Sequence, residues 1–351
     1  MSAAGLPVID ANVLVERVRA DFGVSLTTIS QVPGGQDSDA VLMRGLTVDN
    51  TPLAVKVSRS ERVSGLLVPA HLASGIVTGI ATPLRSHSGT PYSFVGGGTI
   101  SLTPWISGRT AYESGMNAYQ WRRFGALVSQ VHAAQLPPMV ADRLDTEDYR
   151  TCALAVAADL HERICGSEGG RHVAGSADPL TVALTRDWQS ASDSIALLVA
   201  QTEDLGEELR AHSRATVVCH GDAHIGNVML GENGEVWLLD WDGAVLAPRD
   251  RDLMFMIGGV LADAQVTTEQ QQWFFEGYGH CDIDPIHLAY YRCSWAVQDL
   301  ADFAARILDH PAGQSSVSSQ ALSLFRSVLG RTGIVQLALN SLREIGRTSR
   351  A

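Results

Sequence analysis

The polar run His220-Gly221-Asp222-Ala223-His224-Ile225-Gly226-Asn227 sits between two apolar, strand-like stretches, Val217-Val218-Cys219 and Val228-Met229-Leu230. Polar groups set among apolar ones cost free energy unless they are bonded or used, so the segment reads as a working loop. A second acid, Asp240, stands eighteen residues after Asp222 and ends the apolar run Val236-Trp237-Leu238-Leu239, where a strand end would hold its carboxylate. An Asn and an Asp without His or Cys offer the hard oxygen donors that magnesium takes together with phosphate oxygens. Lys56 adds a third element. It is the only lysine in 351 residues, and it lies in the apolar strand Leu53-Ala54-Val55-Lys56-Val57. A compact ammonium there could meet phosphate oxygens as a point charge.

The five-residue separation of Asp222 and Asn227 is that of the kinase catalytic loop, in which the Asp accepts the substrate hydroxyl proton and the Asn holds magnesium. Asp240 takes the place of the metal-binding Asp that follows such loops. A Walker A loop is excluded, because that motif needs its lysine directly after a glycine and Lys56 follows Val55.

The chain resembles the aminoglycoside phosphotransferase family, whose fold is that of the protein kinases. The resemblance covers most of the chain and is carried by the 220–227 run, by Leu239-Asp240-Trp241-Asp242, and by Ala247-Pro248-Arg249-Asp250-Arg251-Asp252-Leu253-Met254-Phe255. The last of these most resembles the spectinomycin phosphotransferase branch. The resemblance implies Asp222 as catalytic base, Asn227 and Asp240 as magnesium ligands, Lys56 as phosphate clamp, and structural roles for His220 and Asp252. It implies ATP or GTP as cosubstrate, with a nucleotide loop at Gly34-Gly35-Gln36-Asp37-Ser38 whose small residues Gly34, Gly35 and Ser38 let backbone N–H groups approach phosphates. Adenine would sit against residues 102–106, met by the Thr103 carbonyl and the Trp105 N–H, with Pro104 between them losing no needed donor.

Three assignments stay open in the sequence. The kinase lysine pairs with a helix glutamate, yet the only acid between Lys56 and Glu113 is Glu61, five residues on, and His71 stands nearer the expected position. Asp242 could touch the metal, bind a substrate cation or cap a turn. His224 reads equally as loop scaffold or as phosphate contact. Two other features take bland readings: His132, on an apolar helix, is a satisfied core histidine, and Gly96-Gly97-Gly98 is a hairpin turn between strands.

The elements that must position these residues fall into two parts. Residues 11–22 have helical apolar spacing; 27–32, 40–46, 53–57, 92–95 and 99–102 read as strands; a helix over 68–74 interrupts them. Beyond Gly108 the pattern is helical near 118–134, 151–164, 180–202, 270–278, 286–308 and 321–345, with an extended island at 216–241 and loops at 166–179 and 311–319. The expected fold class is α+β, a two-lobed protein-kinase-like fold with a small mixed β-sheet N-lobe (1–104) and a larger, mainly helical C-lobe (105–351).

Composition narrows the function. A net charge of −12 with 45% apolar residues describes a folded, soluble chain. Of 38 acids only seven lie in residues 1–109, beside eight of the 26 bases, so the acidic surplus belongs to the rest. No stretch has the Lys/Arg density that nucleic acid requires, and a cationic small substrate is the natural partner. Some of Asp263, Glu269, Glu276, Asp282, Asp284, Asp299 and Asp302 are candidates to line its pocket. No apolar run reaches the length of a membrane span, and the charged residues Asp10, Glu16, Arg17 and Asp21 speak against a signal peptide, so a cytoplasmic location is expected. Five scattered cysteines without Cys-x-x-Cys spacing support neither a disulfide framework nor a zinc site.

The expected activity is transfer of the γ-phosphate of ATP or GTP to a hydroxyl of a cationic aminocyclitol or aminoglycoside antibiotic, spectinomycin first. The rivals are a kinase of another hydroxylated metabolite, such as a sugar or amino alcohol, and a pseudokinase-like nucleotide-binding regulator. A protein kinase is disfavoured, because Trp241-Asp242 replaces Phe-Gly after Asp240 and Pro248 arrives after only eight residues.

Overall fold

The structure, a computed structural model, describes residues 10–32, 40–59, 62–75, 77–95, 98–166, 178–212, 214–309 and 315–347. Helix α1 (Ala11–Phe22) precedes β1 (Leu26–Gln31), β2 (Ala40–Thr47) and β3 (Pro52–Ser58); α2 (Ser64–Leu72) leads to β4 (Ser93–Val95), β5 (Gly98–Pro104) and β6 (Gly108–Thr110). Then follow α3 (Ala118–Ala133), α4 (Ala153–Cys165), α5 (Pro179–Ser190), α6 (Ser192–Arg210), β7 (Val217–Cys219), β8 (Val228–Gly231), β9 (Val236–Leu238) and β10 (Val245–Ala247). Helices α7 (Thr268–Tyr278), α8 (Pro285–Leu308), α9 (Ser315–Leu329) and α10 (Ile334–Glu344) complete the chain. Among the described residues no helix is long and apolar enough to cross a membrane, and none of the five cysteines is in a disulfide.

The chain divides into two compact units. One comprises residues 1–146, 217–246 and 273–279, and the other 147–216, 247–272 and 280–351. In the first unit five strands form a sheet in the order β1-β2-β3-β5-β4. Every pairing is antiparallel, where the sequence reading expects a mixed sheet. Helix α1 starts at Asp10, whose side chain accepts from the Asn12 N–H at 2.8 Å, and stops at Gly23, where φ is +69°. Its Leu14, Val18 and Phe22, spaced four apart on one face, pack with Leu53, Val55, Val57, Ile100 and Leu102 of the sheet. Burying each such side chain contributes about 1.5–3 kcal/mol. The period of two along β3 that turns Leu53, Val55 and Val57 into this core turns Lys56 to the opposite face.

The same unit holds a three-stranded antiparallel sheet, β6-β8-β9, with Met229 opposite both Thr110 and Trp237, and a pair of strands, β7 and β10. Helix α3 begins in a capping box between Asn117 and Gln120 and packs on residues 273–279 of α7. A Cβ on Gly125 would lie 2.0 Å from the Phe274 carbonyl oxygen, and one on Gly277 would lie 1.9 Å from that of Arg122. Two glycines therefore let these backbones touch. Phe124 and Phe274 meet edge to face at 5.5 Å, and buried His132 shares a 2.7 Å hydrogen bond with the Tyr278 hydroxyl.

The second unit is helical. Helix α8, capped by the Asp284 carboxylate and started by Pro285, is buried over most of its circumference and packs against α4, α6, α9 and α10. Trp188 of α5 stacks on Phe325 of α9 with centroids 6.0 Å apart.

Several boundaries differ from the expected ones. The helix expected over 180–202 is two helices broken at Ala191, and that over 321–345 is two helices separated by a turn ending at Gly333. Residues 315–319, expected in a loop, begin α9, and the extended segment β6 lies where a helical region was expected. Helix α2 starts at Ser64 rather than Val68. Its Gly65 and Pro69 read locally as breakers, but both are buried by tertiary packing, which outweighs propensity.

Candidate active site

Lys56 reaches two carboxylates. Its Nζ donates to Asp242 Oδ2 at 2.6 Å and to Asp240 Oδ1 at 3.1 Å. Burial alone would lower the lysine pKa, but the two acids outweigh it and hold the ammonium well above its ordinary range. Of the partners weighed in the sequence, Glu61 lies outside the described residues, and the His71 ring bonds the Gln135 carbonyl at 3.0 Å.

The loop after β7 carries the other groups. Gly221 has φ +81°, and a Cβ there would lie 2.0 Å from the Gly243 carbonyl oxygen, so only glycine fits between His220 and Asp222. Asn227 Nδ2 donates to the Asp222 backbone carbonyl at 2.8 Å and to Asp222 Oδ2 at 2.9 Å. These bonds fix the amide and leave its Oδ1 as the atom turned to other duties. His224 caps the short turn Ile225–Asn227: its Nδ1 accepts from the Gly226 N–H at 2.9 Å. Its Nε2 lies 3.3 Å from Asp222 Oδ1. A neutral ring that accepts at Nδ1 carries its proton on Nε2, so the N–H edge of His224 lies beside the Asp222 carboxylate without an aligned hydrogen bond to its Oδ1.

Burial, followed by the neighbouring His220, lowers the His224 pKa from its ordinary 6.5 to about 4, Asp240 opposing them. The unfolded chain therefore takes up this proton first, and the stability the neutral ring supplies is whole above pH 6.5 and is lost as the pH falls toward 4. Urea unfolding midpoints are expected to drop across that window, with a shallower slope in His224→Gln; equal slopes would refute the assignment.

Asp240 follows β9 in the left-handed region, with φ +61° and ψ +73°. A non-glycine residue there is strained and persists only where its surroundings over-determine it. The surroundings are visible. His220 is wholly buried, its Nε2 bonds the Leu239 carbonyl at 2.9 Å, its Nδ1 accepts from the Asp222 N–H at 3.3 Å, and its ring meets Trp241 edge to face at 4.6 Å. Trp241 Nε1 donates to the Leu238 carbonyl at 3.1 Å, and the Leu239 N–H to the Asn227 carbonyl at 2.9 Å. One imidazole thus ties the Asp222 loop to the strand end that presents Asp240. His220→Ala is expected to lower the unfolding free energy by about 2–4 kcal/mol, read from denaturant midpoints; an unchanged midpoint would refute the brace.

Gly34, Gly35 and Ser38, with the rest of the expected nucleotide loop, lie outside the described residues. Thr103 pairs with Ala54 in the sheet, and the Trp105 N–H donates to the Pro52 carbonyl at 3.2 Å, so this donor is used within the sheet rather than presented to a base. Arg44 lies over the Trp105 ring at 5.5 Å. In the second unit, Asp252 is buried on the single helical turn Asp250–Leu253. Among the acids weighed for a substrate cation, Glu276 pairs with Arg122, Asp284 with Arg214 and Asp302 with Arg306, so three already have cationic partners.

A small antiparallel sheet and a larger helical part are the architecture of a small-molecule phosphotransferase of the protein-kinase-like fold, and its first unit holds a strand lysine, a loop pairing Asp222 with Asn227, and a carboxylate at the following strand end. The chain belongs to the phosphotransferase enzyme family abbreviated APH, whose model matches residues 28–293. The structure is similar to that of the spectinomycin phosphotransferase APH(9)-Ia in complex with ADP and spectinomycin, at TM-score 0.82 and 25% identity, covering 96% of this chain and 99% of that one. It is also similar in fold to the amicoumacin kinase hAmiN in complex with AMP-PNP and Ca2+, at TM-score 0.60 and 15% identity over 93% and 97% of the two chains. A third similar fold, at TM-score 0.51 and 14% identity over 90% and 98%, is the macrolide 2'-phosphotransferase MphH from Brachybacterium faecium. No curated protein matches the chain in sequence.

Proposed function

We propose that the protein moves the γ-phosphate of ATP or GTP to a hydroxyl of a cationic aminocyclitol or aminoglycoside, spectinomycin first, and so confers resistance from within the cytoplasm. The observation that carries this reading is the likeness, over nearly the whole of both chains, to a spectinomycin phosphotransferase holding ADP and spectinomycin. The acidic surplus beyond residue 109 suits a cationic acceptor. Residues 1–104 would form the nucleotide lobe and 105–351 the catalytic and acceptor lobe. Gly34, Gly35, Ser38 and Thr103 remain the candidates for nucleotide contact, while Trp105 would have to give up its bond to Pro52.

In this reading the acceptor O–H bond breaks with its proton passing to the Asp222 carboxylate. The acceptor oxygen bonds the γ-phosphorus, and the bond from that phosphorus to the bridging oxygen breaks, releasing nucleoside diphosphate. Asn227 orients the carboxylate through its Oδ2, and His224 stands beside Oδ1. Lys56 supplies fixed positive charge at the phosphates. The donor set also fits magnesium: the Asn227 amide is turned by its bonds to Asp222 so that Oδ1 is the remaining ligand atom, and Asp240 offers a half-exposed carboxylate, both hard oxygen donors. Magnesium, when bound by Asn227 and Asp240, would neutralise phosphate charge. Catalysis would rest on positioning and electrostatics.

The test incubates the protein with magnesium, ATP or GTP, and a panel headed by spectinomycin, following diphosphate release and product mass. Spectinomycin gaining one phosphate group is expected. Release driven only by a sugar or amino alcohol would replace the acceptor class, and nucleotide binding without transfer to any acceptor would favour a regulator.

A further inference from the structure

We propose that Asp242 is the standing counter-ion of Lys56, a positioning residue that does from a loop what a helix glutamate does in protein kinases. The inference rests on the phosphotransferase reading and deepens it. Three observations carry it. Helix α2, the first helix after the lysine strand, has the sequence Ser-Gly-Leu-Leu-Val-Pro-Ala-His-Leu and contains no acid. It meets the Asp242 turn through Gly65, where a Cβ would lie 2.8 Å from Asp242 Oδ1 and 2.9 Å from both the Asp242 Cα and the Trp241 carbonyl oxygen. The helix thus leaves space for a carboxylate that arrives from the other side. Finally, Lys56 is closer to Asp242, at 2.6 Å, than to Asp240, at 3.1 Å.

The two acids then have separable duties. If Asp240 turns to a metal ion, Lys56 keeps a counter-charge among the described residues through Asp242; its side chain is 25% exposed, and a largely buried cation stripped of its partner is costly. With Asp242 in place the ammonium holds its position while Asp240 is engaged elsewhere. A lysine anchored in this way can face phosphate oxygens without swinging toward the metal ligand.

Because Lys56 is the only lysine, 15N-lysine labelling yields a single side-chain ammonium signal, read in the ligand-free protein at one pH. The signal is expected to persist in wild type and in Asp240→Asn, to be lost to solvent exchange in Asp242→Asn, and to return in Asp242→Glu. Gly65→Ala, which pushes on Asp242 from the helix, should weaken it as well. In turnover assays Asp242→Asn should lower kcat about tenfold with an unchanged magnesium requirement. Loss of the signal in Asp240→Asn but not in Asp242→Asn would overturn the assignment. So would recovery of kcat by added magnesium, which would make Asp242 a metal ligand. A signal that follows Asp242 in a protein that turns over no nucleotide would sink the phosphotransferase reading, and the positioning role with it.

Discussion

Exchanging Asp222 for Asn is expected to cut kcat by about a thousandfold while nucleotide affinity stays within about twofold. The expectation follows from the loop. The Asp222 side chain is about one-third exposed, so a substrate hydroxyl can reach it, and its Oδ2 is held by Asn227 at 2.9 Å while Oδ1, with no hydrogen bond among the described residues, lies 3.3 Å from His224 Nε2. In the proposed mechanism, removing the carboxylate removes the proton acceptor without removing a cosubstrate contact. Asn keeps the shape, whereas Ala would also leave Asn227 Nδ2 short of one bond and blur the result. Single-turnover rates and nucleotide titration on the same preparation separate the two effects. Turnover near wild type would show that the proton goes elsewhere.

Lys56→Arg should fail nearly as badly, with kcat/KM falling by about a hundredfold, although Arg is the basic residue this chain uses everywhere else. The ammonium sits 2.6 and 3.1 Å from two separate carboxylates, a fit for a compact donor with rotatable hydrogens. A planar guanidinium is wider and would bind one carboxylate in bidentate fashion. That pulls Asp240 or Asp242 out of place and leaves the phosphates facing a misplaced charge. Retained kcat/KM in the variant would mean that the site asks only for positive charge.

The sequence made the candidate groups legible because their signals are local. The 220–227 loop, Asp240 at a strand end and the lone Lys56 each stand out by residue type against apolar neighbours, and the structure brings Asp240 to Lys56 and Asn227 to Asp222. The partner of Lys56 stayed out of reach because it depends on a contact across 186 residues. The only hint was the second acid two residues past Asp240. The bond of the Trp105 N–H to Pro52 was out of reach for a similar reason: it is a matter of strand register. Among the elements, strands with strict alternation such as β3 were readable, whereas the break between α5 and α6 falls at Ser190-Ala191-Ser192, with no Gly or Pro to mark it. α2 was readable only in part, because its Gly65 and Pro69 are justified by what they touch and not by their own preferences.

The unit that holds Lys56 is assembled from residues 1–146, 217–246 and 273–279, and this orders events on the ribosome. Lys56 is synthesised 184 residues before Asp240, so the β3 ammonium must wait, with its face of the sheet unfinished, through most of elongation. The unit cannot close until Phe274 and Gly277 have emerged to cover α3 at Gly125 and Arg122. Meanwhile residues 147–216, which belong to the other unit, leave the tunnel and must stay out of the way. Contacts this distant in sequence make for slow folding and prolonged exposure of apolar strands. Yield in a cell should therefore depend on chaperone supply and elongation rate more than on the equilibrium stability of the finished chain, and nascent chains stalled before residue 273 should remain protease-sensitive over β3.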